Sequence, residues 1–124
     1  MIRVVYYPED GPPELRELPA EIGSYDWATL KAALGGWPAY LPLGDALGVP
    51  ALGLYLVSDE DAEGRRPRNR NTFVAGAPIA RITRTYDGWS IPGPFLVLLL
   101  DEDGALATLT ENHVALLLGS ASTT

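Results

Sequence analysis

The 124-residue chain contains no cysteine, so disulfide bonds, thiolate metal ligands and thiol nucleophiles are excluded together. It contains one histidine, His113, and one chain therefore offers no pair of imidazoles to a metal ion or to acid–base chemistry. No apolar run approaches the roughly 18 residues that a membrane span requires, and the first residues lack the pattern of an export signal. These absences predict a cytoplasmic protein without membrane contact.

Sequence motifs for common catalytic chemistry are also missing. The chain has no Gly-x-x-x-x-Gly-Lys-Ser/Thr phosphate loop, no Gly-x-Gly-x-x-Gly dinucleotide loop and no Gly-x-Ser-x-Gly nucleophile turn. Acidic runs begin at Asp59 and Asp101, but the first lacks the spacing of a calcium loop and the second suits a hairpin turn. We expect His113 to be solvated or to cap a helix. We therefore expect no catalytic residues, no metal and no cofactor, and we do not favour an enzyme.

Positive charge is scarce and unevenly placed. The chain has 16 acidic and 9 basic residues, a formal net charge of −7, which disfavours nonspecific binding to nucleic acid. Four arginines and two asparagines crowd residues 64–72, where guanidinium and amide donors predict a site for a nucleotide or an acidic partner. The alternative is a solvated loop whose arginines pair with the acidic run at residues 59–61. The candidate binding residues in this loop are Arg65, Arg66, Arg68, Asn69 and Arg70.

Large aromatic residues lie close to the turns that proline and glycine favour. Trp37, Tyr40, Tyr55 and Trp89 are such residues. Side chains of this kind line ligand pockets and interfaces, and they also fill the rim of a hydrophobic core. We take Trp37 and Tyr40 as further candidates for contact with a ligand or a partner.

The periodicity of the apolar residues predicts short strands and two helices. Runs rich in β-branched and aromatic residues predict strands at residues 2–7, 14–18, 39–43, 53–57, 77–83, 95–100 and 105–109. Spacings of three and four predict helices at residues 26–34 and 110–118. We expect residues 1–118 to form a single α+β domain, with a mainly antiparallel sheet of five to six short strands and two short helices. Residues 119–124 are predicted to be a disordered tail.

The order of these features resembles that of a known family. A strand with a Pro/Gly turn, a helix ending in a glycine pair, a strand with an acidic turn, an Asn-Arg element and an apolar strand leading into a second helix occupy residues 3–13, 30–36, 54–61, 69–70 and 93–111. This order resembles the uncharacterised phage and plasmid family known as domain of unknown function 3846. Residues 74–86 have no counterpart in that family, and Trp37-Pro38 replace its usual residues after the glycine pair. The family names no reaction and no ligand. The resemblance implies a small accessory protein of a mobile element that acts inside a bacterial cell.

The missing catalytic motifs and the donor-rich loop favour a binding function. We expect a non-enzymatic accessory protein of phage or plasmid type that modulates a host process. Its contact surface would centre on Asn69-Arg70 and on Trp37 and Tyr40, and its partner would be a host protein or a small anionic ligand such as a nucleotide. One alternative is an acidic nucleic-acid mimic that inhibits a host DNA-binding enzyme. Another is a small hydrolase that depends on Asp and Glu. Edge strands also make a homodimer possible.

Overall fold

An antiparallel sheet organises the structure, a computed structural model that describes residues 1–43, 53–62, 66–72 and 91–118. The two helices are α1 (Trp27–Leu34) and α2 (Glu111–Leu118), and a 3-10 turn covers Arg70–Thr72. The strands are β1 (Ile2–Tyr7), β2 (Glu14–Leu18), β3 (Pro38–Pro42), β4 (Leu54–Asp59), β5 (Phe95–Leu100) and β6 (Leu106–Ala107).

The strands of the described residues follow the order β2-β1-β5-β4-β3, and β6 pairs with the C-terminal end of β5. Every pairing is antiparallel. The predicted α+β class, with an antiparallel sheet of six strands and two helices, is therefore confirmed. The proline-containing strand β3 lies at an edge, where a missing ladder donor is tolerated. The predicted strand at residues 77–83 and the predicted tail at residues 119–124 lie outside the described residues.

Two strands differ in length from the sequence prediction, and in each case the backbone hydrogen bonds to neighbouring segments explain the difference. β4 continues to Asp59 because Ser58 and Asp59 still pair with the start of β3. β6 is shorter than predicted because the segment after it bonds to the backbone of β1 instead of to β5. The Thr108 hydroxyl accepts from the Arg3 N–H at 2.7 Å, and the Leu109 N–H donates to the Arg3 carbonyl at 3.2 Å.

The two faces of the sheet carry separate apolar clusters, because successive side chains on a strand point to opposite faces. On β5, Phe95 and Val97 belong to the cluster completed by α2, whereas Leu96 and Leu98 belong to the cluster completed by α1. All four side chains are fully buried. The predicted strand at residues 95–100 is therefore confirmed, and its uninterrupted apolar sequence fits a strand that is covered on both faces.

Local capping signals set the ends of α1. The Asp26 carboxylate accepts from the Thr29 N–H at 3.2 Å and from its hydroxyl at 2.7 Å. At the other end Gly35 adopts a left-handed conformation, with φ of 79°, and donates its N–H to the Lys31 carbonyl at 2.8 Å. The helix therefore ends at Leu34, and the chain turns directly into β3.

A reciprocal cap begins α2. The His113 N–H donates to the Thr110 hydroxyl at 3.2 Å, and the Thr110 N–H donates to His113 Nδ1 at 3.3 Å. This arrangement has the geometry of a capping box, with histidine in the position that glutamate or glutamine usually takes. The capping role expected for His113 is confirmed.

Tyr7 lies in the cluster beneath α2 and gives the fold an expected dependence on pH. Its ring stacks on Phe95 with centroids 4.7 Å apart, and its hydroxyl donates to the Leu117 carbonyl at 3.2 Å. Burial raises the pKa of Tyr7 above its ordinary value of about 10. Above that pH the unfolded chain releases the phenolic proton while the folded chain retains it, so the free energy of unfolding should fall as the pH rises.

The variant Tyr7→Phe tests this dependence. Denaturant unfolding of the wild-type chain and of the variant, followed from about pH 9 to about pH 11, should show a smaller loss of stability in the variant. The difference between the two slopes should approach about 1.4 kcal/mol per pH unit, the value for one proton. Equal slopes in the two proteins would contradict a protonated Tyr7 in the folded state.

Candidate functional site

The side chain of Asn69, a predicted binding residue, bonds to the fold itself. It is fully buried, and its Nδ2 donates to the Tyr7 carbonyl at 3.0 Å and to the Gly93 carbonyl at 2.8 Å. Its Oδ1 accepts from the Asn71 N–H at 2.9 Å. The amide therefore joins the end of β1 to the residues just before β5, and its burial is at odds with direct contact with a ligand.

Asn71 extends this network to the Pro/Gly turn after β1. Its Nδ2 donates to the carbonyls of Pro8 and Gly11 at 3.1 and 3.0 Å, and it also lies within hydrogen-bond distance of the Asn69 Oδ1. Between the two asparagines, the Arg70 N–H donates to the Glu9 carbonyl at 2.9 Å. We call this set of buried amide contacts the asparagine anchor, defined by Asn69 and Asn71. It holds the 3-10 turn against the β1–β2 connection.

Two arginines of the loop form ion pairs with carboxylates of the same chain. Arg66 is half-buried, with its Nη1 3.3 Å from Glu9 Oε1 and its Nε 3.8 Å from Asp59 Oδ2. Arg70 is exposed, with its Nε 3.2 Å from Asp10 Oδ1. Pairing with the acidic run at residues 59–61 was the alternative prediction for this loop, and Arg66 fits it through Asp59. The structure thus provides internal counterions for these two guanidinium groups.

The two remaining arginines of the loop are Arg65 and Arg68. Arg68 is exposed, and its backbone forms an isolated bridge with Pro92. Arg65 lies outside the described residues. The structure therefore places the predicted loop residues at three levels: Asn69 in the interior, Arg66 in a partly buried ion pair, and Arg68 and Arg70 at the surface.

Asp59 and Arg66 connect this loop to the glycine pair after α1. The Asp59 carboxylate is buried, and its Oδ1 accepts from the Asp61 N–H at 3.0 Å. It fills the space that a Cβ on Gly36 would need, and the Arg66 guanidinium lies against Gly35. The turn that leads into β3 therefore packs against the buried Asp59 carboxylate, and Arg66 of the loop provides a positive charge beside it. The pairing of Asp59 with an arginine belongs to the alternative prediction, whereas its contact with Gly36 was not predicted, because the two residues are 23 positions apart and meet only in the folded chain.

A group of four aromatic rings lies beyond this turn, on the α1 side of the sheet. Trp27 on α1 meets the Tyr40 ring of β3 edge to face, with centroids 5.7 Å apart, and meets the Tyr25 ring in the same manner at 6.0 Å. Trp37 stands just before β3, and its ring lies 3.8 Å from the Lys31 ammonium. Because Trp27 and Lys31 are four residues apart, they occupy the same face of α1. We call Tyr25, Trp27, Trp37 and Tyr40 the aromatic surface.

The aromatic surface is accessible to solvent. Trp37 is 58% exposed, Tyr25 55% and Tyr40 39%. Partial burial raises the pKa of the Tyr40 hydroxyl, which keeps that hydroxyl neutral and able to donate a hydrogen bond. The backbone N–H of the exposed Glu60 donates to the Trp37 carbonyl at 2.9 Å, so an acidic residue borders the surface. The structure therefore groups the two predicted aromatic residues, Trp37 and Tyr40, with two others that the sequence analysis had not selected.

The signal for the two additional residues is present in the sequence, although it is not specific. Trp27 stands at the start of α1 and is half-buried against the core cluster that contains Leu30 and Leu34. Tyr25 precedes it by two positions, where the chain enters the helix. The contact of the Trp27 ring with Tyr40 depends on how α1 packs on β3, and that packing is a tertiary feature. Tyr55 packs against the same core cluster as Trp27, and Trp89 lies outside the described residues.

A cleft elsewhere in the structure is lined by polar groups that already form hydrogen bonds within a turn and a helix cap. A cleft of about 660 Å³ is lined in part by Tyr55, Leu99, Asp101 and His113. The Asp101 carboxylate accepts from the N–H groups of Asp103 and Ala105, both at 2.9 Å, and so closes the β5–β6 turn. The His113 imidazole belongs to the helix cap. These polar groups therefore stabilise a turn and a helix end, and they do not converge on the cleft.

In the part of the chain that the structure describes, no group of three or more acidic or histidine side chains could hold a metal ion. None of the helices described here is long and apolar enough to cross a membrane. Comparison of the chain with known protein families, curated proteins and solved structures found no significant match. The resemblance to the phage and plasmid family therefore stays a prediction.

Proposed function

We propose that this chain is a non-enzymatic binding protein that contacts a protein partner through the aromatic surface. The observation that carries the proposal is the assembly of Tyr25, Trp27, Trp37 and Tyr40 on one accessible side of α1 and β3. Tyrosine and tryptophan dominate the binding energy of protein interfaces, because a large apolar ring is combined with a polar tip. Leaving three such rings accessible to water costs a folded chain part of its hydrophobic stabilisation.

The charge of the chain indicates the kind of partner. A net charge of −7 and the acidic residue beside Trp37 favour a partner surface that carries positive charge. The Trp37 ring face already holds the Lys31 ammonium at 3.8 Å, so the ring is placed to accept a cationic side chain of a partner by exchange. In the context implied by the family resemblance, such a partner would be a host protein contacted by an accessory protein of a phage or plasmid.

The same geometry gives less support to capture of a small anion by the arginine loop. Asn69 bonds to backbone carbonyls, and Arg66 and Arg70 pair with carboxylates. A nucleotide would have to compete with those carboxylates for each guanidinium group. The role of the loop in the proposed function is therefore to support the turn that carries Trp37.

The experiment begins with peptides selected from a random library on the immobilised chain, since such libraries favour preformed binding surfaces. Affinity of the selected peptides is then measured by fluorescence anisotropy for the wild-type chain and for the variants Trp37→Ser and Tyr40→Ser. Each variant should weaken binding about tenfold or more, as expected for a central aromatic residue of an interface. The control variant Arg70→Ser changes an exposed residue outside the aromatic surface and should leave the affinity unchanged.

Two outcomes would overturn the proposal. One is a set of selected peptides whose affinity is insensitive to both aromatic substitutions. The other is calorimetric binding of a nucleotide that disappears in the double variant Arg68→Ala/Arg70→Ala, because that result would assign the binding function to the arginine loop. Thermal unfolding of each variant checks that the fold is intact, since neither Trp37 nor Tyr40 belongs to the two buried core clusters.

A further inference from the structure

The two edges of the sheet differ in their capacity to pair with another strand. In an antiparallel strand, the N–H and C=O of one residue point to the same side, and successive residues alternate. The Leu43 N–H donates to the Leu54 carbonyl, so the residues of β3 whose groups point outward are Pro38, Tyr40 and Pro42. Two of these three residues lack an N–H. The outer edge of β3 is therefore poorly suited to strand addition.

The outer edge of β2 keeps its donors. Arg3 of β1 bonds through its N–H and its C=O to the segment after β6, on the side away from β2. The backbone groups of the even-numbered residues of β1 therefore point toward β2. Their partners on β2 are Glu14, Arg16 and Leu18. The N–H and C=O groups of Leu15 and Glu17 consequently point away from the sheet. Within the described residues, no strand pairs with this edge.

We propose that a second copy of this chain pairs with the outer edge of β2, antiparallel, with Leu15 on the two-fold axis. In this register Leu15 faces Leu15 of the second copy, and the pair exchanges both backbone hydrogen bonds. Glu14 faces Arg16 of the second copy, and by symmetry Arg16 faces Glu14. The 44% exposed Leu15 side chain would thereby become buried, and each copy would place opposite charges across the interface.

The neighbouring registers are less favourable for reasons contained in the sequence of β2. A two-fold axis at Arg16 places the two Arg16 side chains opposite each other, and like charges across a strand pair are destabilising. An axis at Glu17 opposes the two Glu17 side chains, which is unfavourable for the same reason. Of these three registers, only the one centred on Leu15 opposes no like charges, and there the Glu17 N–H faces the carbonyl of Pro13 of the second copy.

The side chain of Arg16 is already oriented for this contact. Its guanidinium pairs with Glu14 of the same strand and lies 3.8 Å from the centroid of the Tyr6 ring. The side chain is held on the α1 side of the sheet at the open edge, where Glu14 of the second copy would arrive. The resulting dimer has one continuous sheet, and this inference stands independently of the proposed function.

Sedimentation of the full chain tests the proposal, with protein concentrations from about 1 μM to about 1 mM. The wild-type chain should pass from monomer to dimer across this range. The variant Arg16→Glu should weaken dimerisation at least tenfold, because it opposes glutamates at both symmetric positions. The double variant Glu14→Arg/Arg16→Glu should restore dimerisation, because the exchanged charges are again opposite.

Two further variants separate an edge contact from a general loss of structure. Glu17→Pro removes an outward-facing N–H and leaves the pairing of β2 with β1 intact, so it should abolish the dimer without altering the circular dichroism spectrum. Pro42→Ala, on the opposite edge of the sheet, should leave the association unchanged. A wild-type chain that stays monomeric throughout the range, or a dimer that is unaffected by Arg16→Glu and by Glu17→Pro, would overturn the proposal.

Discussion

The variant Asn69→Asp should destabilise the fold by about 3 kcal/mol or more. Aspartate preserves the shape of the side chain and the oxygen that accepts from Asn71. It replaces the amide nitrogen with an oxygen that faces the carbonyls of Tyr7 and Gly93, which lie 3.0 and 2.8 Å from that nitrogen. Two buried acceptors would then lose their donor, and each such loss costs about 1 to 3 kcal/mol. This loss in the free energy of unfolding would be a large fraction of the total stability of a domain of this size.

Denaturant unfolding of Asn69→Asp at neutral and acidic pH measures both the loss and its cause. At low pH the introduced carboxyl is protonated and can donate to one of the two carbonyls, so the deficit relative to the wild-type chain should narrow as the pH falls toward about 4. The neighbouring variant Arg70→Gln, which removes an exposed ion pair, should cost less than about 1 kcal/mol. A deficit that is independent of pH, or as small as that of Arg70→Gln, would contradict the role of Asn69 in the asparagine anchor.

Asn69 also shows where prediction from sequence ends. The sequence identifies an amide in a loop rich in hydrogen-bond donors, and it cannot tell whether the acceptors belong to a ligand or to the chain. The Tyr7 carbonyl is 62 positions away and the Gly93 carbonyl 24 positions away. They meet at Asn69 only because β1 and β5 are neighbours in the sheet. The structural role of the amide therefore follows from topology.

The elements that were predicted well are those whose causes are local. Helix α1 begins after Asp26 and ends before Gly35, and each of these two residues acts through a contact with a residue three or four positions away. The run at residues 95–100 is apolar without interruption, and it occupies the middle of the sheet with both faces covered. By contrast, the contact of the Trp27 ring with Tyr40 depends on the position of α1 relative to β3. The sequence predicts the helix but not which aromatic rings outside the helix its side chains contact.

The proposed dimer and the aromatic surface have a joint consequence for binding. The aromatic surface lies where α1 meets β3, and β2 lies at the other end of the sheet. Pairing through β2 would therefore leave both aromatic surfaces accessible, one at each end of the continuous sheet. A partner with two copies of the recognised segment could engage both ends, and its affinity would then exceed that of a single contact.

The variant Gly36→Ala should cost about 3 kcal/mol, through overpacking against a charged group that cannot move freely. A Cβ at this position would overlap the Asp59 carboxylate, whose Cγ would lie 2.5 Å away. Asp59 is buried and is held by the Asp61 N–H and by Arg66, so any shift of the carboxylate weakens those contacts. Trp37 follows directly in the chain, and the same shift should alter the aromatic surface.

A double-mutant cycle with Asp59→Ala identifies the overlap as the cause. Removal of the carboxylate clears the space for the new methyl group, so the double variant should be more stable than the sum of the two single changes, by about 1 to 2 kcal/mol. Gly104→Ala provides a comparison in which the cause is different, because Gly36, unlike Gly104, does not have positive φ. Gly104 has φ of 81° and no atom within 4 Å of an added Cβ, so its replacement reports the cost of left-handed backbone alone, about 1 kcal/mol. A Gly36→Ala variant no worse than Gly104→Ala, with strict additivity in the cycle, would show that the turn into β3 does not depend on the buried carboxylate.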